Sequence, residues 1–401
     1  MAGMDRRQRL ALLAESAALD RDTPADRLTG LRSVRLPGGG ATTLMRVMQT
    51  NACSLSCGYC PTYCGGKVKR AALAPEEVAT SFMEAQRKGL AHGLFLTSGV
   101  PGRAVRATDR MLAALEILRR REGFRGYVHL KLLPGAEPAQ VEAAAGLATR
   151  ISINLEGPGD GPVRALARDK DFSGDLLPKL ELAGRLLRQA RRQAPPGARV
   201  NAGTTTQFVV GAAGERDTDI LSLVARLEGQ ELLHHAHFSA FQPVAGTPME
   251  GVPATPAVRE LRLYQAEHLL RQYGFRHDEL AFEPDGNLPL DDDPKTAWAL
   301  RHPEAFPVEI TTAPYESLLR VPGVGPAAAR TIVTHRRGVL LRDLRDLRAL
   351  GVDTARAGAF LSLRGRRLAS TLPARQLRLF PHGKHLTQAP WKTDSPPCAY
   401  R

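Results

Sequence analysis

The chain has 401 residues, 43% hydrophobic and 24% charged, with a formal net charge of +14. This is ordinary globular composition at a length that suits two or three domains, which excludes a disordered or low-complexity chain. No run approaches the roughly 18 apolar residues of a membrane span, and five cysteines in such a length exclude a disulfide-stapled scaffold.

Residues 1–40 read as a short amphipathic helix, MAGMDRRQRLALLAES, followed by a Gly-rich link ending in LPGGGATT. Glu15 interrupts the apolar run, so the segment does not read as a signal peptide, and a reduced, cytoplasmic setting is expected. From residue 41 to 285 short apolar runs alternate with amphipathic stretches. The runs are 44–50, 93–99, 127–133, 150–156, 204–211 and 236–244. Six strand-helix repeats predict an α/β core with a parallel sheet and crossover helices, too few for a closed eight-fold barrel.

Directly after the first run, TNACSLSCGYCPTYCGG places Cys53, Cys57, Cys60 and Cys64 within twelve residues. CxxxCxxC lets one loop bring three thiolates to three irons of a 4Fe-4S cluster and leaves the fourth iron open. Two other readings stay open: a four-cysteine zinc site, and a cluster that Cys64 saturates into a plain redox centre. Two separated CxxC knuckles, which would favour zinc, are absent.

Residues 286–312 are rich in Pro and Asp and read as an extended connector. Residues 313–370 then show an apolar turn (Leu318, Leu319), the run Val321-Pro322-Gly323-Val324-Gly325, and a helix with Ala329 and Ile332. The pattern resembles the helix-hairpin-helix of DNA repair proteins. Gly323 and Gly325 allow a sharp turn and close approach of amides to a phosphate at a helix start. Arg330, Arg336 and Arg337 supply cations nearby, and a hairpin used only for packing is the alternative. Gly351 follows an apolar helix in the same way, as in a degenerate second hairpin. Residues 301–401 carry 17 Lys and Arg against 7 Asp and Glu, +10 of the total +14, the electrostatic footprint of a module that meets phosphate. An Arg-rich coding bias would give the same excess. Residues 371–401 read as a poorly ordered basic tail.

With Tyr59 directly before the third cysteine, the loop resembles closely the signature of the radical S-adenosylmethionine (SAM) superfamily. From about residue 41 to 362 the chain looks like its DNA modification or repair branch, which carries a C-terminal helix-hairpin-helix. Segments 93–100, 126–135, 150–158, 168–170, 205–212, 262–275, 293–302 and 318–325 carry the likeness. PTYCGG after the third cysteine and a shorter N-terminal region depart from that branch and mark a divergent member.

The resemblance implies a partial (β/α)6 barrel followed by a small all-α helix-hairpin-helix domain. Cys53, Cys57 and Cys60 would bind the cluster, whose open iron S-adenosylmethionine would chelate. Tyr59 would lie against adenine, and Thr97-Ser98-Gly99 would meet the methionine amino group, unless this is an ordinary strand-to-loop turn. Asn154 and Glu156 would serve the ribose hydroxyls, structural burial being the alternative for both. Gly211, with Gln207 and Glu215 around it, would let adenine approach. Lys131 would face a cofactor carboxylate or substrate phosphate, or solvent. Reductive cleavage of the cofactor would give a 5′-deoxyadenosyl radical that takes hydrogen from substrate. Nucleic acid held by the C-terminal domain, an external electron donor and a uracil-DNA-glycosylase-like protein are the implied partners. A small molecule or protein as substrate, or a DNA-binding protein with a structural or redox cluster, are the competing readings.

Overall fold

The computed structural model describes residues 4–17, 31–36, 40–194, 201–338 and 340–369. The 371–401 tail lies outside them. The elements in order are α1 (Arg6–Ala17), β1 (Leu31–Leu36), β2 (Gly40–Met48), α2 (Pro75–Arg87), β3 (Gly93–Thr97), α3 (Ala104–Glu116), β4 (Tyr127–Lys131), α4 (Pro138–Leu147), β5 (Arg150–Ser152), α5 (Asp160–Leu166), α6 (Leu177–Gln193), β6 (Thr204–Val210), α7 (Asp217–Gly229) and β7 (His235–Ala240). Then come α8 (Ala257–Gln272), α9 (Pro294–Arg301), β8 (Val308–Glu309), α10 (Tyr315–Arg320), α11 (Pro326–His335), α12 (Leu344–Ala349), α13 (Thr354–Ala357), β9 (Leu361–Leu363) and β10 (Arg366–Arg367).

Strands β2 to β7 pair in sequence order, all parallel, with helical crossovers between them. β1 and β7 are the two edges of this seven-stranded sheet, so the barrel is partial and open. The strand periodicity separates its faces. Val47, Leu94, Leu96, Val128, Leu130, Ile151, Phe208, Ala236 and Phe238 are buried. The intervening His129, Lys131, Gln207, His235 and His237 are only partly covered and form the inner face. β1, which pairs antiparallel to β2, was expected to be part of a Gly-rich link. Its hydrogen bonds come from β2 and leave little trace in local composition.

By internal packing the described residues form two compact units, one from those within 4–215 and 226–255, the other from those within 216–225 and 256–369. The expected boundary at 285 therefore shifts, and the 286–312 segment is not an extended connector. Asp293 caps α9, accepting from the Thr296 amide, and Pro294 occupies its first turn, the ordinary start of a helix. Trp298 on that helix packs edge-on against Phe275 at 5.5 Å and Phe306 at 6.0 Å, and Phe306 meets Phe360 at 5.0 Å. The segment is thus core of the second unit. Helices α10–α11 and α12–α13 form two hairpins there, with Gly323 at φ 82° and Gly351 at φ 87°. A three-stranded sheet, β10-β9-β8, accompanies the helices expected in this region.

Candidate functional site

The cysteine loop leaves the C-terminal end of β2 and is laid along the exit of β3. Gly99 N–H donates to Thr50 O at 2.7 Å, Ser54 N–H to Val100 O at 2.8 Å, and Gly102 N–H to Ser54 Oγ at 2.8 Å. A Cβ on Gly99 would stand 2.3 Å from Ala52 O, so the two backbones meet only because this residue has no side chain. On its other flank the loop is tied to residues 166–169. Gly58 N–H donates to Leu166 O at 2.8 Å and Ser56 N–H to Asp169 Oδ2 at 2.6 Å. Arg70 closes it, donating to the carbonyls of Asn51, Thr62, Tyr63 and Gly66 at 2.5–3.0 Å.

Within this brace Cys53, Cys57 and Cys60 are free thiols. Val100 N–H lies 3.5 Å from Cys53 Sγ, and Cys60 Sγ is 3.1 Å from Thr62 Oγ1. Burial pushes the Cys57 thiol up to about 12, and the neighbouring Cys60 and Cys53 add to the rise. Burial raises Cys60 as well. Two thiols that resist ionisation side by side favour a bound cation, whose charge stabilises the thiolates. Among the described residues no three His, Cys, Asp or Glu groups are placed to hold a single ion. Thiolates that each bind a different iron of a cluster need not converge on one point, so the three residues fit a 4Fe-4S cluster in type and number.

Beside the thiols lies a pair that the spacing of the motif does not reveal. Lys170 donates to Glu156 Oε1 at 2.6 Å and to Tyr59 OH at 3.3 Å. Burial opposes the Lys170 ammonium, but Cys57 and Glu156 prevail and hold its pKa above the ordinary value. Burial also pushes the Tyr59 phenol up, with Glu156 next in effect. Glu156 is buried, has φ 65°, and its Oε2 has no hydrogen-bond partner. Glu156 thus holds a buried carboxylate oxygen left over, on a backbone that most residues avoid.

Tyr59 also packs, with Ala212, Ala213 and Val252, on an apolar cluster of Leu166, Val209, Phe241 and Met249. Gly211 has φ 92°, and a Cβ there would stand 2.0 Å from Thr255 Oγ1, so glycine is required by the fold itself. Its N–H donates to Glu215 Oε1. Asn154 Nδ2 donates to Gln207 Oε1 at 3.3 Å, and Gln207 Nε2 to Ser239 Oγ at 3.3 Å, so both are committed to a side-chain ladder across β6 and β7. Ser98 is buried beside Gly99. Tyr59, Glu156 and the three thiols thus come together, while Ser98, Gly99 and Gly211 shape the loops around them.

In the second unit Gly323 O accepts from Asp353 N–H at 2.9 Å, and a Cβ at Gly323 would stand 2.5 Å from Asp353 O, so this glycine joins the two hairpins. Gly325, the residue before α11, lines a cavity of about 280 Å³ with Tyr273, Lys295 and Arg356 among its walls. Arg330 and Arg337 are exposed. Arg336 donates to Ile310 O at 2.9 Å and Ala313 O at 2.7 Å, which gives it a structural task.

No family model and no curated protein matches the chain. Among solved structures it is similar to methylornithine synthase (PylB), 16% identical over 64% of this chain and 68% of that one, TM-score 0.44. It is also similar to HydG, a maturase of the FeFe-hydrogenase, 13% identical over 57% and 49%, TM-score 0.44. A third is the radical S-adenosylmethionine methyltransferase TsrM from Kitasatospora setae, 14% identical over 55% and 39%, TM-score 0.38. Likeness of this degree bears on the fold alone. No helix among the described residues is long and apolar enough to cross a membrane.

Proposed function

We propose that the protein is a radical SAM enzyme that acts on nucleic acid. The observation that carries the first part is the braced loop at the mouth of the parallel strands, with three free thiols beside a buried carboxylate oxygen that lacks a partner. Cys53, Cys57 and Cys60 would hold a 4Fe-4S cluster. Glu156 Oε2 would accept from a ribose hydroxyl of S-adenosylmethionine, with Lys170 fixing the carboxylate. Tyr59, Ala212, Ala213 and Val252 would offer adenine an apolar wall. When bound, the cluster and cofactor supply a 5′-deoxyadenosyl radical able to take a hydrogen atom from substrate. The chain's own part is to hold the loop and keep the mouth dry.

The second part rests on the paired hairpins and on exposed arginines, Arg330 and Arg337 with Arg342, Arg345, Arg364, Arg366 and Arg367, whose charges suit a phosphate backbone. An external electron donor and a uracil-DNA-glycosylase-like protein belong to the same proposal as partners. The test is anaerobic reconstitution, followed by detection of methionine and 5′-deoxyadenosine and of deuterium transferred from labelled DNA or RNA. Absence of cofactor cleavage would leave a DNA-binding protein with a structural or redox cluster. Transfer from a labelled metabolite or peptide instead of nucleic acid would make the substrate a small molecule or protein.

A further inference from the structure

The six parallel strands contain no Asp or Glu, yet they hold Arg46, His129, Lys131, Arg150, His235 and His237. The register puts all six on the inner face. Arg46 pairs with Phe95, Phe95 with His129, and His129 with Arg150. One step nearer the mouth Lys131 pairs with Ser152, Ser152 with Thr205 and Thr205 with His235. Side-chain contacts agree: the Arg46 guanidinium lies 4.3 Å over the Phe95 ring, that ring meets His129 at 4.7 Å, and His129 Nε2 is 2.8 Å from Ser152 Oγ.

Two covered arginines elsewhere in this unit have their guanidinium donors taken up by carbonyls. Arg70 donates to four carbonyls, and Arg119 to those of Leu147, Phe124 and Gly126. Arg46 and Arg150 differ. The Nε of each is buried without a partner, and among the described residues no carboxylate pairs with either. Thr205, fully buried on the same face, has an Oγ1 with no partner. A guanidinium Nε–H that is covered and left without an acceptor is costly unless an anion completes it, and the forked donors of a half-buried arginine suit carboxylate or phosphate.

We propose that the inner face of the barrel binds an anionic group of the substrate, a carboxylate or a phosphate, between Arg46 and Arg150. This rests on reading the barrel mouth as the cofactor site and names what lies below it. Arg150 is six residues from Glu156, at most roughly 20 Å at strand rise. The substrate is therefore elongated, with its anion seated deep and its reacting carbon toward the mouth.

The test uses the reconstituted full-length protein and calorimetric titration with inorganic phosphate and, separately, acetate. Wild type should bind at least one of them. Arg46→Gln and Arg150→Gln should each weaken binding about tenfold or more, Arg46→Lys less, and the exposed Arg125→Gln not at all. Iron content and circular dichroism show that each variant is folded. Preference for phosphate points to a nucleotide source and preference for acetate to a carboxylic acid. Binding of neither by wild type, or equal binding by the folded glutamine variants, overturns the proposal. The perturbation of the wild-type iron signal by S-adenosylmethionine tests the cofactor site on its own, so the two readings fail separately.

Discussion

Lys170 donates to Glu156 at 2.6 Å, and Glu156 takes that position from a left-handed backbone with its other oxygen unpartnered. Both side chains are nearly inaccessible, 7% and 2% exposed. Coulomb attraction is strong in such a place, but so is the cost of desolvating either charge alone. Removing one partner should therefore be worse than removing both. Lys170→Met and Glu156→Gln are each expected to lose about 3–5 kcal/mol of stability. The double variant should lose clearly less than the sum in a denaturant-melt cycle. Additive losses would mean that the two charges are not coupled.

Cluster binding should depend on three thiols and on one glycine. Replacing Cys53, Cys57 or Cys60 with Ala should abolish the iron and sulfide content of reconstituted protein, and Cys64→Ala should leave it. Gly99→Ala should also lower it, because a Cβ would force Ala52 and the cysteine loop apart. The check is iron per chain at matched circular dichroism. Full occupancy in Gly99→Ala would show that the loop is not held by that contact.

The cysteine spacing and six parallel strands were legible because each is local: a motif read residue by residue, and apolar runs of period two. β1 was not, since its pairing is supplied by β2. α9 carried a helix-start signal, Asp293 followed by Pro294, that the Asp-rich surroundings concealed. Lys170, cited only within segment 168–170, and Arg70 were given no role for a different reason. Their roles lie in contacts with Glu156 and with four loop carbonyls, which exist only once the chain has folded. The absence of acids from the strands was visible in the sequence, but the common face of the cations needed the register.

His129 faces Arg46 of β2, Phe95 of β3, Lys131 of its own strand, Arg150 and Ser152 of β5, and His237 of β7. Burial, then Arg150 and Arg46, hold its pKa well below the ordinary histidine value, so it is neutral near pH 7. An anion among these cations would remove part of the repulsion and raise that pKa. Phosphate or acetate binding should therefore take up protons and weaken as pH rises. Calorimetric enthalpies in buffers of different ionisation heat report the uptake, and His129→Gln should reduce it. Buffer-independent enthalpy in wild type would exclude His129 as the proton acceptor.

Lys295 is buried, donates to Val324 O at 2.6 Å and lies 4.6 Å from the Tyr273 ring centroid. Burial lowers its pKa from 10.5 to about 7. Between those values the unfolded chain binds more protons than the folded one, so stability rises with pH over that window. Below pH 7 both states are protonated and the penalty is constant. Lys295→Met should flatten the rise between pH 7 and 10.5 in denaturant melts. An unchanged slope would assign the pH dependence to another group.

Arg330, Arg336 and Arg337 are close in sequence but should behave differently toward DNA. Arg330 and Arg337 are exposed, and each contact to phosphate contributes through counterion release, with a log-log salt slope of roughly −0.9 per phosphate neutralised. Arg330→Ala and Arg337→Ala should weaken duplex binding without regard to sequence and make the salt slope shallower by about 1 each. Arg336 is held by the carbonyls of Ile310 and Ala313, so Arg336→Ala should lower the stability of the fold and leave the slope alone. Fluorescence anisotropy across a salt series, paired with thermal melts, separates the two effects. A salt slope unchanged in both Arg330→Ala and Arg337→Ala would remove the hairpin from the nucleic-acid interface.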